Sequence, residues 1–257
     1  MKDVDPFDFA GRAVLVTGGT RGIGAGIARG FRAAGARVLV CGRNPAAGAD
    51  SIVADVRDPD QVARLVRTAV DRFGRLDVVV NNAGGAPSVD AATASPRLHA
   101  KVVELNLVAP LHVAQAANVV MQAQDGGGVI IMIGSVGGVR PAPGAAAYGA
   151  AKAGLHHLAT SLAIEWAPKV RVNTVVVGPA ATEAATAHYG DADGYAAVAA
   201  TVPLGRLATP EDVAGACLFL ASPHAGHVSG AALTVHGGGE WPGYLAALRG
   251  TAYPAQK

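Results

Sequence analysis

The chain has 257 residues, 51% of them hydrophobic and 16% charged, with 34 glycines, 15 prolines and a formal charge of +2. That composition gives a sizeable core of small residues and is not that of a disordered chain. The charge is spread without a basic run or interleaved aromatics, which leaves no electrostatic footprint for nucleic acid or a membrane surface. Cys41 and Cys217 are too few for a disulfide framework and lack metal-ligand spacing, so no metal is expected and a reducing compartment is. Residues 1–11 are acidic and broken by Pro6, unlike a signal peptide, and no unpunctuated apolar stretch reaches the roughly 18–20 residues of a membrane span. A soluble cytoplasmic protein is expected.

An apolar run at residues 13–17 leads into Gly18-Gly19-Thr20-Arg21-Gly22-Ile23-Gly24 and then a helical pattern to residue 34: strand, glycine turn, helix. Residues 37–41 read as a second strand, 51–54 as a weak third, and 76–80 as a strong fourth entering Asn81-Asn82-Ala83-Gly84. Further β-branched runs occupy residues 129–133, 170–177 and 232–235. Helical periodicity falls at residues 60–73, 98–124, 147–166 and 210–220. Fully apolar strands alternating with amphipathic helices predict an α/β fold, a single doubly wound parallel sheet of Rossmann-like form with helices on both faces. No linker interrupts the alternation, so residues 1–257 read as one dinucleotide-binding and catalytic domain. The link from Cys41 to Ser51 is too short for a crossover helix, and an abbreviated loop is expected over residues 43–50.

Gly18, Gly22 and Gly24 lie between strand and helix, where a pyrophosphate rests on the helix N-terminus and backbone must approach closely. Tyr148 and Lys152, four apart on one helix, face the same way. An ammonium beside a phenol lowers the phenol pKa by stabilising its charged form. Taken alone, such a pair is usually helix surface and core. Ser135 follows a strand at the carboxyl edge of the predicted sheet, thirteen residues before Tyr148. Asn106 precedes Pro110 by four residues, and proline has no N–H, so the Asn106 carbonyl loses its helical partner and a kink is expected.

The ordered set Thr17-Gly18-x-x-x-Gly22-x-Gly24, Asn81-Asn82-Ala83-Gly84, Asn106, Ser135, Tyr148-x-x-x-Lys152 and Gly230 resembles the short-chain dehydrogenase/reductase family over nearly the whole chain. The resemblance implies hydride transfer between a nicotinamide cofactor and a small carbonyl or alcohol substrate. It implies Tyr148 as general acid/base, Ser135 holding the substrate oxygen, Lys152 lowering the Tyr148 pKa and binding the nicotinamide ribose, and Asn106 holding a proton-relay water. Cofactor contacts are expected at Gly18, Thr20, Arg21, Gly22, Ile23, Gly24, Arg43, Asp55, Val56, Asn82, Ala83, Gly84, Tyr148, Lys152, Ala180 and Thr182. Asp55 also reads as a turn cap. The second strand ends Cys41-Gly42-Arg43 with no acidic residue for a ribose 2′-hydroxyl; Arg43 and Arg21 suit a 2′-phosphate, so NADP(H) is preferred and NAD(H) possible.

Pro179 stands one place later than the family pattern, which puts the Ala180 contact in question. Residues 183–205 occupy the place of a substrate lid, with His188 and Tyr189 as pocket candidates. His156 and His157 read as packing or subunit contacts rather than metal ligands. A homodimer or homotetramer is expected by resemblance. The alternatives are an NAD-dependent dehydrogenase of alicyclic or steroid-like alcohols and a 3-oxoacyl carrier-protein reductase. Against the latter, residues 122–128 contain no cation for an acidic carrier. Outside the class stand a nicotinamide-independent lyase and a non-catalytic dinucleotide-binding protein.

Overall fold

A computed structural model describes residues 7–44, 50–183, 185 and 189–249. Seven strands form one parallel sheet in the order β3-β2-β1-β4-β5-β6-β7. They are β1 Ala13–Thr17, β2 Arg37–Gly42, β3 Ser51–Val53, β4 Val78–Asn81, β5 Gly128–Ser135, β6 Val170–Val177 and β7 Ala232–Val235. Strand order reverses between β1 and β4, so a crevice opens beyond their carboxyl ends. Both strands are buried along their whole length, as apolar runs sandwiched between two helical layers must be. At the edge, β7 alternates exposed and half-buried positions.

Successive strand residues face opposite layers, and the core divides accordingly. Leu15, Leu39, Val79, Ile130 and Met132 pack into one cluster; Val14, Val16, Val38, Val80 and Ile131 pack into the other. Burying each such side chain contributes roughly 1.5–3 kcal/mol. The helices α1 Gly22–Ala33, α2 Pro59–Phe73, α3 Pro96–Val103, α4 Ala109–Ala123, α5 Ala146–Glu165, α6 Ala192–Thr201, α7 Pro210–Ala221 and α8 Gly243–Arg249 accompany the sheet. Their ends follow local chemistry. Asp58 accepts from the Asp60 and Gln61 amides ahead of Pro59, and Gly74 closes α2 at φ 75°. Thr209 and Asp212 form a capping box around Pro210 on α7.

Asp77 ties down the amino edge. It is 5% exposed and accepts from the Ala13 amide at 2.8 Å, Arg12 at 3.0 Å and Arg75 at 2.8 and 2.6 Å. Burial pushes its carboxyl pKa up, but the hydrogen bonds from Arg75, Ala13 and Arg12 together outweigh burial and hold it below the usual range.

Three features depart from the sequence reading. The helix expected over residues 98–124 is interrupted by a π-turn at Glu104–Val108, where the Ala109 amide reaches back five residues to the Glu104 carbonyl. The distortion expected from Pro110 takes that form. Strand β5 runs on to Ser135, so the serine ends the strand rather than following it. Residues 192–201, read without a helix, form α6, capped by the Asp191 side chain on the Gly194 amide. The loop expected over residues 43–50 lies largely outside the described residues, as do His188 and the tail beyond 249. Among the described residues no helix is long and apolar enough to cross a membrane.

Candidate active site

The crevice at the β1 and β4 ends is tied together by two side chains. Thr17 Oγ1 accepts from the Asn82 and Ala83 amides, both at 3.0 Å. Asn82 Nδ2 donates to the Thr17 and Gly18 carbonyls at 2.9 and 3.1 Å. This packing leaves no room for a side chain at Gly24, where a β-carbon would stand 2.3 Å from the Gly18 carbonyl and 2.4 Å from Asn82 Nδ2. Gly18 itself has φ +62°, the left-handed region that glycine adopts without strain.

The N-terminus of α1 has no side-chain cap from its own Arg21. Its first amide, Gly22 N–H, donates instead to Glu183 Oε2 at 3.0 Å. A carboxylate therefore occupies the place that the helix end offers to an anion. Sequence reasoning missed Glu183, and with the partners 161 positions apart no local signal could have found it. Thr182 packs beside Gly22: a β-carbon there would come within 3.7 Å of both the Thr182 methyl and Glu183 Oε2. Ala180 pairs with Ala208 in an isolated parallel bridge, and the Pro179 carbonyl accepts from the Ala208 amide at 3.0 Å. The segment with the displaced proline is thus anchored to the stretch before α7.

Thr20 lies under the end of β2, its Oγ1 2.9 Å from a β-carbon position on Gly42. Arg21 and Arg43 are exposed, and neither takes part in an ion pair among the described residues. Ile23 is half-buried at the start of α1, and Val56 is buried beside β3. Asp55 is engaged by its neighbour. Its carboxylate accepts from Arg57 Nε at 2.9 Å, from the Arg57 guanidinium at 2.5 Å and from the Arg57 amide at 3.1 Å. Hydrogen bonding from Arg57 holds the Asp55 pKa down despite partial burial. The turn-capping alternative describes this carboxylate as it stands.

At the other end of the crevice, Ser135 closes β5 while Tyr148 and Lys152 lie in the first turns of α5. Ser135 Oγ accepts from the Gly137 amide at 3.1 Å. Lys152 is 4% exposed and donates to the Ile133 carbonyl at 2.8 Å. Burial brings its pKa down to about 8. Its Nζ stands 5.7 Å from the Tyr148 ring centroid. Burial raises the Tyr148 pKa, hydrogen bonding to the Ser135 hydroxyl pulls the other way, and the Tyr189 phenol adds to the rise. The net lowering expected for Tyr148 is therefore not found in this arrangement, because desolvation of the phenolate outweighs the Ser135 hydrogen bond.

Asn106 is fully buried in the π-turn. Its Oδ1 accepts from the Gly85 amide at 2.9 Å, and its Nδ2 donates to the Gly85 and Val102 carbonyls at 2.9 Å. A β-carbon on Gly84 would lie 2.8 Å from Asn106 Oδ1 and 3.3 Å from Lys152 Nζ, so the two side chains meet beside Gly84. Pro110 has no N–H for the Asn106 carbonyl. Among the described residues, no cluster of His, Cys, Asp or Glu could hold a metal. Residues 122–128 contain no cation of their own, but Lys169, just before β6, donates to the Gln122 and Gln124 carbonyls and brings one to that loop.

A doubly wound sheet with a glycine turn at its switch point defines a dinucleotide-binding α/β protein. A family model described as enoyl-(acyl carrier protein) reductase matches residues 18–240. The L-rhamnose 1-dehydrogenase (NAD(P)(+)) of Azotobacter vinelandii is 37% identical over 245 residues, 88% of this chain and 96% of that protein. The cis-4-hydroxycyclohexanecarboxylate dehydrogenase of Sinomonas cyclohexanicum is 38% identical over 246 residues, 90% of this chain and 97% of that one. The ligand-free structure of an aldohexose dehydrogenase from Thermoplasma acidophilum matches with a TM-score of 0.84 and 29% identity, covering 90% of this chain and 94% of that one. The chain belongs to the short-chain dehydrogenase/reductase family and is an NAD(P)-dependent oxidoreductase.

Proposed function

We propose that this enzyme moves a hydride between NADP(H) and a secondary alcohol or ketone carbon of a cyclic small molecule, with Tyr148 as general acid/base. The observation that carries the proposal is the convergence of Ser135, Tyr148, Lys152 and Asn106 at one end of a crevice whose other end is a glycine turn. That turn fits a dinucleotide: it lacks side chains where backbone would meet the phosphates, and its helix end already holds a carboxylate as a stand-in anion. Gly18, Thr20, Arg21, Gly22, Ile23 and Gly24 would hold the phosphates, Arg43 with Arg21 a 2′-phosphate, and Val56 with Asp55 the adenine side. Asn82, Ala83, Gly84, Lys152, Ala180 and Thr182 would hold the nicotinamide half, which supplies or takes the hydride.

The chain's own part is proton handling and orientation. Tyr148 gives its phenolic proton to the substrate oxygen in reduction, and Ser135 Oγ donates a hydrogen bond to the same oxygen as charge develops there. The raised Tyr148 pKa keeps the phenol protonated through neutral pH, which suits reduction; oxidation needs the phenolate and speeds up as pH rises. Lys152, fixed on Ile133 O, and the Asn106 side chain both approach Gly84, which supports the proton-relay role that the resemblance gives Asn106.

Relatives named for rhamnose, hydroxycyclohexanecarboxylate and aldohexoses support a ring-bearing hydroxyl as substrate. The described residues 189–205, with α6, would cover it, and the Tyr189 phenol helps to raise the Tyr148 pKa. Ile164 on α5 is 81% exposed and Val119 on α4 69% exposed, apolar surface that supports a homo-oligomer through these helices. Two buried thiols and no described membrane-spanning helix are compatible with a cytoplasmic enzyme. The test is NADPH oxidation against cyclic ketones and NADP+ reduction against sugars and alicyclic alcohols. A Tyr148→Phe variant that binds NADPH yet turns substrate over as fast as wild type overturns the assignment.

A further inference from the structure

The catalytic helix sends a third side chain to the end of β5. His156, one turn beyond Lys152, accepts a hydrogen bond at Nε2 from the Ser135 amide, with N···N 3.3 Å. Two glycines make the room. A β-carbon on Gly134 would lie 2.3 Å from His156 Nε2, and one on Gly138 would lie 2.8 Å from its Cε1. The imidazole thus fills a wedge between the last residues of β5 and the 3-10 turn Val136–Gly138. Ser135 is held from both sides: its amide by His156, and its hydroxyl by the Gly137 amide below Tyr148.

An imidazole that accepts at Nε2 is neutral and carries its proton on Nδ1. Resting on the Ser135–Tyr148 assignment above, we infer that His156 is a positioning residue, a neutral acceptor that fixes the Ser135 peptide and so aims its hydroxyl at the substrate oxygen. Protonation puts a second N–H against the Ser135 amide and a second cation near Lys152, and the contact is lost. Burial, then the Lys152 charge, holds the His156 pKa below its ordinary value, which keeps the acceptor form at neutral pH. Lys152 on its own helix is the charge acting on it among the described residues. β5 presents Ser135 and Gly134, the 3-10 turn presents Gly138, and the Thr174 methyl of β6 lies at the same Gly134 position; none of these carries a charge.

The test compares His156→Leu with His156→Gln, whose amide oxygen can take the same N–H. We expect His156→Leu to lose about ten-fold or more in kcat, as misaimed catalytic groups do, with NADPH affinity by fluorescence titration within two-fold of wild type. His156→Gln should recover most of the loss. The wild-type kcat for ketone reduction, the direction in which Tyr148 must be protonated, should fall on the acid side, and the Gln variant should lose that limb. Nitrogen NMR of labelled histidine should find His156 in the Nδ1–H form at pH 7. A Leu variant with wild-type kcat, a Gln variant no better than Leu, an acid limb that survives in the Gln variant, or an Nε2–H or charged ring at pH 7 would each overturn the inference. If Leu fails to fold, the Gln pH profile and the ring tautomer decide. The Tyr148→Phe control separates the readings: an active Tyr148→Phe sinks the acid/base assignment, whereas an inactive one beside an unaffected His156→Leu sinks only the positioning role.

Discussion

At the carboxyl end of β5, each of the proposed catalytic side chains is held by a neighbour within the same site: Lys152 by the Ile133 carbonyl, Ser135 by the Gly137 amide and His156, Asn106 by Gly85. At the end of β1 the contact is of another kind, with the Gly22 amide met by the exposed Glu183 from a distant loop. The end proposed for hydride transfer is thus ordered by the chain's own contacts. The end proposed for the phosphates holds the Glu183 carboxylate, which a pyrophosphate bound there would replace. Substitutions at the first end should therefore change turnover, and those at the second should change cofactor affinity.

The sharpest test of that division is Tyr148→Phe, expected to lower kcat by about 10²–10⁴-fold, the range of general acid–base catalysis, while the NADPH Kd stays unchanged. Stopped-flow hydride transfer with a parallel fluorescence titration separates the two. Asp77→Ala serves as a control at the opposite edge of the sheet. It should cost roughly 2–3 kcal/mol by leaving the Ala13 amide and two arginines without their acceptor, and leave both kcat and Kd alone. Because the Asp77 pKa is depressed, its contribution is fully present above the ordinary carboxylate value and is lost as pH falls through the folded one. Urea melts at pH 7 and near pH 3 should thus differ less for the variant than for wild type.

Smaller effects are expected at the phosphate end. Arg43→Ala should weaken NADPH by about ten-fold, the scale of one charged hydrogen bond, and leave NADH unchanged; equal losses for both cofactors would remove the 2′-phosphate assignment. Glu183→Gln should tighten NADPH about two- to five-fold, since a charge at a helix terminus is worth about 0.3–1 kcal/mol. Weaker binding by this variant, read from the same titration, would mean that Glu183 assists the cofactor rather than competing with it.

The sheet was legible because burial on two faces writes an unbroken apolar run, and the bounds of β6 and β7 follow from residues 170–177 and 232–235 alone. Tyr148 and Lys152 were legible as a pair because helical spacing is local. What escaped was set by contact rather than pattern. The π-turn leaves no mark except Pro110, because its register change is in the backbone. Neither Glu183 at α1 nor His156 at Ser135 can be read from spacing: one partner lies 161 residues away, and the other depends on absent β-carbons at Gly134 and Gly138. The direction of the Tyr148 pKa turned on burial, which a motif does not carry.

The π-turn also has a geometric consequence for everything on either side of it. One residue of helix corresponds to about 100° of rotation, so a five-residue closure sets α3 and α4 out of phase along a nearly common axis. Each segment then turns a different stripe inward, α3 toward α5 and α4 toward β4, β5 and α2. Asn106 lies at the seam between those two orientations. Removing a single residue from Glu104–Val108 would return the helix to one phase, and either the packing of α4 on the sheet or the approach of Asn106 to Lys152 would have to give way.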